Sequence, residues 1–517
     1  MTAAPSRPTA ELFEAVVESL RLQAVEAYMI GGAVRDVLSG RCPDDLDIVV
    51  ADDAEAVALC LGETTSARIV VIDDARGYFR LVPPDDSSGW VDISGRDGTL
   101  TSDLARRDFT INAIALNVSD CPPGLFACPS VPPNSEIRRL ESRLIDPMNG
   151  LPDLRSRTLR AISRQNLLDD PVRLIRGPRI ANQLGFMIEP GTKSMIRMNA
   201  SSLVTTAPER VRDELFSVFA NSPAERGLRL LDALGLLDVV FPEIRETRGV
   251  TQPREHHYWD VFEHLLHSVG RAEALIDRRA GESDLTIRMA PWRREIEGHF
   301  DEVVSDGQSR ATLLKVTALL HDIAKPRHKT VDADGRTRFL GHDEAGADMA
   351  RGMLLRLRCS SRTVTHVSQV VRHHMRPSHI GATQGGVPPS PRALFRYWRD
   401  LGDVAVDTLF LSLADYLAAR GPEIDMKDWS RFAGVAGVIL ADGFVTPMAT
   451  KPFLLLNGHE LMKEFGLHQG RRVGELLTAL QSAEAEGKVQ TREDAAEFIR
   501  VLISQQDRNS SSKLPPV

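Results

Sequence analysis

Apolar residues at Leu12, Val16, Leu20 and Val25 recur at helical spacing and predict an amphipathic helix over Glu11–Tyr28. The polar, proline-containing stretch before it, Met1–Thr9, predicts a disordered start. From Met29 to Val50 (MIGGAVRDVLSGRCPDDLDIVV) the pattern changes to a strand end, a Gly-Gly turn, a short helix, a polar loop and a second strand. Ala54–Leu61 then reads as a helix, and Arg68–Ile72, Tyr78–Val82 and Trp90–Ile93 as strands. Cys121–Asn134 is proline-rich and reads as a loop. Further on, helical spacing dominates, notably over Asp169–Arg176 and the apolar Leu313–Ile323. Ile276–Gln308 is charged and without clear period, as an insertion would be. From Lys451 onward the pattern is of short helices broken by glycine, and the polar Asp507–Val517 predicts a disordered end.

This succession predicts an α+β fold: a mixed sheet with helices first, an all-α remainder after it. At 517 residues the chain is too long for a single core. The expected division is a head over 1–160, a neck over 161–229, a helical body over 230–425 and a tail over 426–517. A net charge of −8 excludes a protein coated in nucleic-acid-binding charge, but not a local basic groove. Arg155, Arg157, Arg160 and Arg164 supply such a field at the start of the neck. The five cysteines form no C-x-x-C pair, so the expectation is reduced thiols, without a disulfide framework or structural zinc. No apolar run is long enough to span a bilayer, and the N-terminus lacks a basic segment followed by an apolar one. These readings lead to a cytoplasmic protein.

The candidate chemistry begins at Gly31 and Gly32, where a backbone without Cβ can press against a phosphate at the start of a helix. Asp45 and Asp47 lie two residues apart on a strand and project together. Carboxylates held that close repel one another unless a cation lies between them. Phosphate cradle and paired carboxylates together are what Mg²⁺-assisted nucleotidyl transfer requires; separately, each is a common surface feature. Asp92, between Val91 and Ile93, is a third carboxylate on a strand or simply an exposed strand residue. Arg106, Arg107, Asp108 and Asn112 carry groups able to neutralise a triphosphate and read ribose hydroxyls; the alternative is a capped helix start. Asp170 and Arg173 share a helix face and can form a salt bridge or read a base edge. Arg176, Arg179 and the run Glu209–Glu214 complete that groove. In the body, a neighbouring His321–Asp322 on a buried helix is costly to desolvate unless both meet a charge. A divalent cation held by His264, His321, Asp322 and Asp415 would meet that need, with His342 and His374 extending the site and His373 competing with His374.

G-G-x-V-R-D followed by D-x-D, the segment R-R-D-F-T-I-N-A at Arg106–Ala113 and the order H…HD…H…H…D resemble the bacterial-type (class II) tRNA nucleotidyltransferases and poly(A) polymerases that carry an HD domain. Asp146–Leu154, with Arg157 and Arg160, continues the likeness at the junction of head and neck. The resemblance implies a polymerase β-like head with Mg²⁺ at Asp45 and Asp47 and Asp92 as third carboxylate. Gly31, Gly32 and Arg35 would hold the triphosphate. It implies base reading by an E-D-x-x-R motif, here with Asp169 in the place of the glutamate, and a second divalent metal in the HD body. The implied partners are CTP, ATP and the 3′ end of tRNA, part of which the tail would dock. Full CCA-adding members carry a flexible loop before R-R-D-F-T-I-N-A; here only Ser94–Ser102 separates it from the Asp92 strand. That leaves a CC-adding enzyme as an alternative. The poly(A) branch would carry a G-R-R-F-like segment and a basic tail, which this chain lacks. An HD phosphohydrolase with a nucleotide-binding head is the reading from a different class.

Overall fold

The computed structural model describes residues 7–51, 53–75, 77–83, 89–96, 98–126, 139–278, 283–382, 388–445, 455–485 and 488–511. Two compact units divide the chain, Met1–Pro242 and Glu243–Val517.

In the first unit, helix α1 (Arg7–Leu22) precedes strand β1 (Ala27–Ile30). Both ends differ from the sequence expectation. The helix starts inside the polar stretch because Pro8 falls in a first turn, where its missing N–H costs nothing. It stops before Tyr28 because the chain turns at Ala24, in the left-handed region at φ 52°, and Tyr28 pairs into the sheet. Helix α2 (Gly32–Leu38), β2 (Leu46–Val50), α3 (Ala54–Thr65), β3 (Arg68–Asp73), β4 (Tyr78–Val82), β5 (Val91–Gly95), α4 (Leu100–Ala105), β6 (Ala115–Asn117) and β7 (Leu144–Ile145) follow. The strands form one sheet in the order β3-β4-β5-β2-β1-β6-β7. Only the β2–β5 pair in it is parallel.

One face of the sheet packs on the first three helices through Leu12, Val16, Leu20, Val34, Val37, Ile48, Leu61, Ile93 and Leu116. The other carries a smaller cluster of Ile30, Val49, Leu104, Ala113 and Ala115. Strand alternation therefore places Asp47 on the same face as Val49. The segment after β7 docks tightly, since a Cβ on Gly150 would meet the Thr110 carbonyl at 2.1 Å.

The neck is helical over Arg164–Asp169, Arg173–Leu184, Pro190–Asn199, Pro208–Ala220 and Ala224–Ala233, with one two-residue parallel strand pair, Thr158–Leu159 beside Met187–Ile188. The helix expected through Asp169–Arg176 is broken at Asp170 (φ −143°), because a residue before proline is driven out of the helical region.

The second unit contains a body built on helices Val261–Ile276, Arg310–Leu320, His342–Arg356, Ser361–His373 and Ala405–Arg420. Leu265, Val269, Leu314, Leu319, Val367, Val371, Phe410 and Leu413 are buried among them. The stretch expected to be an unpatterned insertion holds two short helices (Leu285–Met289 and Glu295–Asp301) and a strand. These elements are too short for a period to register, yet Ile287, Ile296, Phe300 and Val304 are buried, with Phe300 edge-on to Phe410 at 5.0 Å. The tail helices Gly458–Phe465, Arg471–Ala485 and Arg492–Ser511 share a core of Leu456, Leu461, Leu476, Leu480 and Ile499. The last helix runs into the expected disordered end as far as Ser511, its interior carried by Ala495 and Ile499. Residues 1–6 and 512–517, and most of the proline-rich loop, lie outside the described residues.

Cys60, Cys121 and Cys359 are free thiols, whereas Cys42 is disulfide-bonded, against the expectation of an all-reduced set. Sequence spacing excludes only cross-links between near neighbours. Among the described residues no helix is long and apolar enough to cross a membrane.

Candidate active site and metal centre

Parallel pairing of β2 with β5 sets Asp47 directly beside Asp92. Asp45 lies one residue before β2 and joins them. Burial first, then the charges of Asp47 and Asp92, push the Asp45 carboxyl up to about 7. Asp47 is also raised by burial, with Arg107 opposing the rise. The charges of Asp47 and Asp92 both reach Asp45, while Arg107, Arg176 and Arg80 offset that of Asp47, a crowding of acids that a cation would relieve.

Asp92 is buried and clamped from the neighbouring strand. Arg80 donates to it through Nε (2.7 Å) and Nη2 (2.9 Å), and the Tyr78 hydroxyl donates at 2.8 Å. Arg80 in turn lies over the Trp90 ring, 4.2 Å from its centroid. Sequence reading missed Tyr78 and Arg80. Their signal was their i, i+2 spacing on a strand, but the partner strand and its register are not local information.

Gly31 turns at φ 72°, and a Cβ there would come within 3.0 Å of Asp47 Oδ2 and 3.2 Å of Arg107 Nη1. Gly32 opens α2 beside it. Arg35 is buried below this turn, paired with Asp36 at 2.9 Å and donating from Nη1 to Asn112 Oδ1 at 2.8 Å. Asn112 donates to Asp108 at 3.0 Å, and Asp108 faces Arg176 at 3.5 Å. Arg176 and Arg179 both hold Glu214, at 2.7 and 2.6 Å. Burial pushes Asp108 upward, but Arg176, Asn112 and the Phe109 amide together outweigh it and hold the carboxyl below the usual range. Arg35, Asp108, Asn112 and Arg176 are thus wired to one another, and Arg106 and Arg107 are the more exposed members of their group.

Asp170 is gripped by Arg210 through two 2.8 Å bonds, while Arg173 approaches it only to 3.8 Å. Arg173 instead donates to the carbonyls of Arg106 (3.0 Å) and Asn166 (2.9 Å). Asn166, also missed in the sequence, donates to the carbonyls of Ala105 and Arg107 at 2.7 and 2.6 Å. The neck therefore holds the backbone of the R-R-D segment from below.

In the second unit, one ligand atom each from His264, His321, Asp322 and Asp415 falls within 4.8 Å of the others, and Asp322, His342 and His374 form a second such group. His264 Nε2 lies 3.3 Å from His321 Nε2 and 3.1 Å from Asp415. His342 Nε2 lies 3.2 Å from Asp322 Oδ1, the carboxylate shared by both groups. Of the two adjacent histidines, His374 is the one that enters the cluster. His321, His342 and His374 each turn Nδ1 to a backbone carbonyl (of Ala318, Phe339 and Val371, at 2.9, 2.7 and 2.7 Å), which fixes the rings with Nε2 inward. Asp322 Oδ1 and His342 Nε2 are buried without a hydrogen-bond partner. Such a donor set fits a divalent cation, and two of them sharing one carboxylate fit a pair. Burial lowers His321, but Asp322 and Asp415 override it and lift the imidazole to about 10, so that its charge contributes to neutralising those acids. Lys325 Nζ, 2.5 Å from Asp322, adds to that neutralisation. Burial, then the charge of His321, pushes His374 down to about 4, and burial keeps His257, edge-on to His264, at about 2.

A mixed sheet presenting three carboxylates beside a Gly-Gly turn, in a chain that also carries a histidine–aspartate centre, defines a nucleotidyltransferase head with an HD-type body. Residues 27–160 match the family described as "Poly A polymerase head domain", 185–247 "Probable RNA and SrmB- binding site of polymerase A", and 261–420 "HD domain". The A-adding tRNA nucleotidyltransferase of Deinococcus radiodurans is 35% identical over 92% of this chain and 95% of its own length. The CC-adding tRNA nucleotidyltransferase of Thermus thermophilus is 32% identical, over 92% and 93%. The chain belongs to the bacterial class II family of tRNA nucleotidyltransferases. The fold agrees: a Thermotoga maritima CCA-adding enzyme complexed with tRNA superposes with a TM-score of 0.56 at 19% identity, over 96% of this chain and 97% of that one.

Proposed function

We propose that this nucleotidyltransferase adds the two cytidines, and not the terminal adenosine, of the tRNA 3′ end, using CTP. The observation that carries this is the connection from β5 to α4. The Asp92 strand ends at Gly95 and the next helix begins at Leu100, leaving no length for the flexible loop that the family resemblance associates with the switch to ATP. Asp45 and Asp47, with Asp92 beside them, would hold Mg²⁺ in the head. When bound, that cation neutralises triphosphate charge and activates the primer hydroxyl. The Gly31–Gly32 turn receives the triphosphate, with Arg107 alongside and Arg35, Asp108 and Asn112 holding the turn in place. Arg106 faces solvent at the mouth of that site. Asp170, oriented by Arg210, and Arg173 present the base-reading edge, and Arg176 and Arg179 stiffen the helix behind them. The body would hold a second divalent cation at His264, His321, Asp322 and Asp415, with His342 and His374 taking another. The domain limits at 160, 229 and 425 and action in the cytoplasm on tRNA belong to the same reading.

A second reading, addition of the terminal adenosine alone, has its own support in the 35% identity to an A-adding enzyme. Extension of tRNA lacking CCA, and of tRNA ending in CC, followed at single-nucleotide resolution with CTP, ATP or both, separates the two. Two cytidines and a stop with ATP present is the expected outcome. Addition of a single adenosine only to the CC-ending substrate would overturn it in favour of the A-only reading, and completion to CCA would remove the argument from the short connection.

A further inference from the structure

Asp170 and Arg173, the pair with base-reading chemistry in the neck, do not hold one another. Asp170 ends the helix Arg164–Asp169 at φ −143° and ψ 88°, and Arg173 opens the helix that follows Pro171. Their charged groups stay 3.8 Å apart. Arg173 turns Nη1 to the carbonyls of Arg106 and Asn166, and its Nε is buried with no hydrogen-bond partner among the described residues. Asp170 is fixed instead from a third helix. Arg210, in the first turn of Pro208–Ala220, donates Nη1 to Oδ1 and Nη2 to Oδ2, each at 2.8 Å. A planar guanidinium meets both oxygens of a carboxylate only when the two groups are nearly coplanar, so this fork sets the plane of the Asp170 side chain. It engages one lone pair on each oxygen and leaves the other for a ligand. The side chain of Asp170 is 22% exposed, enough for that ligand to reach it.

We propose that Arg210 is the positioning residue that sets base specificity, an inference that rests on the base-reading role given above to Asp170 and Arg173. With donors on both of its oxygens, Asp170 presents only acceptors toward the nucleotide. The exocyclic amine of cytosine or adenine satisfies such a group. The carbonyl that stands in its place in uracil or hypoxanthine meets an acceptor with no proton between them. An unmatched polar pair of this kind is what lets a site reject a close analogue of its substrate. Without Arg210 the carboxylate is free to rotate, and the nearest waiting donor is Arg173 Nε, 3.8 Å away. Asp170 then turns onto Arg173, the amine loses its partner, and the carbonyl loses its repulsion.

The test is single-nucleotide incorporation by the full-length protein, comparing kcat/KM for CTP against UTP on tRNA lacking CCA, and for ATP against ITP on tRNA ending in CC. Each pair exchanges an amine for a carbonyl, so the pair containing the nucleotide that the wild-type protein adds is the one that is read. In Arg210→Gln the preference for the amine-bearing base should fall by at least about tenfold. Arg210→Lys, a point charge without the fork, should lie between Arg210→Gln and the wild type. The Arg210 side chain is 53% exposed, so neither change opens a cavity in the neck. An equal loss for both nucleotides, with the ratio unchanged, overturns the proposal and makes Arg210 only a brace between helices. Asp170→Ala separates this outcome from failure of the underlying reading. If its ratio falls while that of Arg210→Gln does not, the Arg210 role alone is refuted; if its ratio also stays at the wild-type value, the base-reading pair is refuted with it.

Discussion

With its carboxyl at about 7, Asp45 carries a proton about half the time at neutral pH. The unfolded carboxyl titrates near 3.8, so the native chain binds the extra proton between those two values. The group's contribution to metal-free stability therefore falls as pH rises from about 4 to about 7. Asp45→Asn is expected to stabilise the metal-free fold at pH 8 by an amount on the order of 1 kcal/mol, read as a higher melting temperature in EDTA. The same change should lower nucleotide transfer at least a thousandfold, as read by tRNA extension with Mg²⁺. Wild-type extension by the Asp45→Asn variant would refute the metal role. Gly31 makes a second prediction at this scale. Its φ of 72° and ψ of −134° belong to a region where a side chain costs about 1–3 kcal/mol, and a new Cβ would crowd Asp47 Oδ2. Gly31→Ala should lower kcat for CTP at least tenfold while destabilising the fold in chemical denaturation.

At the scale of elements, the third carboxylate depends on a strand that carries none of the motif residues. Charge-assisted bonds of the Arg80–Asp92 kind contribute about 1.5–3 kcal/mol each. Removing the guanidinium should let Asp92 turn away from Asp47. Arg80→Ala is expected to lower kcat about ten- to a hundredfold with KM for CTP changed less than threefold, and Tyr78→Phe to do the same more mildly. A KM effect without a kcat effect would mean that Arg80 meets the nucleotide and does not position Asp92. What could be read from the sequence follows the same line. Gly31–Gly32, Asp45-x-Asp47, Arg106–Asn112 and His321–Asp322 announce themselves because their members are neighbours along the chain, and the structure brings each set together. Asn166, Arg210 as the close partner of Asp170, and the Tyr78–Arg80 clamp come from other elements. Strand register and helix docking, which local periodicity does not encode, select them. The broken helix at Asp170 was legible in Pro171, whereas the short helices of residues 276–308 had too few turns to show a period.

For the whole molecule, the carboxylate cluster of the head and the histidine–aspartate cluster of the body fall in two different compact units. His321→Ala is expected to abolish metal retention by the histidine–aspartate centre, measured by elemental analysis after gel filtration, while cytidine addition stays within about twofold. In the metal-free chain His321 is charged up to about 10, so its ion pairs stabilise the fold fully below 6.5 and are lost as pH rises through about 10. A cation must displace that proton. Affinity of the centre for Zn²⁺ or Mn²⁺ should therefore rise about tenfold per pH unit between 6 and 9. Calorimetry in buffers of different ionisation enthalpy should report about one proton released per cation bound, and a pH-independent affinity would contradict the assignment.

The lone parallel pairing in the head sheet has a consequence for how such a protein can vary. Because β2 and β5 run the same way, Asp47 and Asp92 meet without a turn between them, and the intervening chain leaves and returns as a self-contained excursion over α3, β3 and β4. That excursion could lengthen or shorten at its outer turns over evolutionary time, or accept an engineered insert, without altering the spacing of the acids. The paired segments themselves have no such freedom: one residue added within β2 or β5 shifts the register and parts Asp47 from Asp92. The head thus separates a tolerant margin from an intolerant one, and variation in length should accumulate at the first.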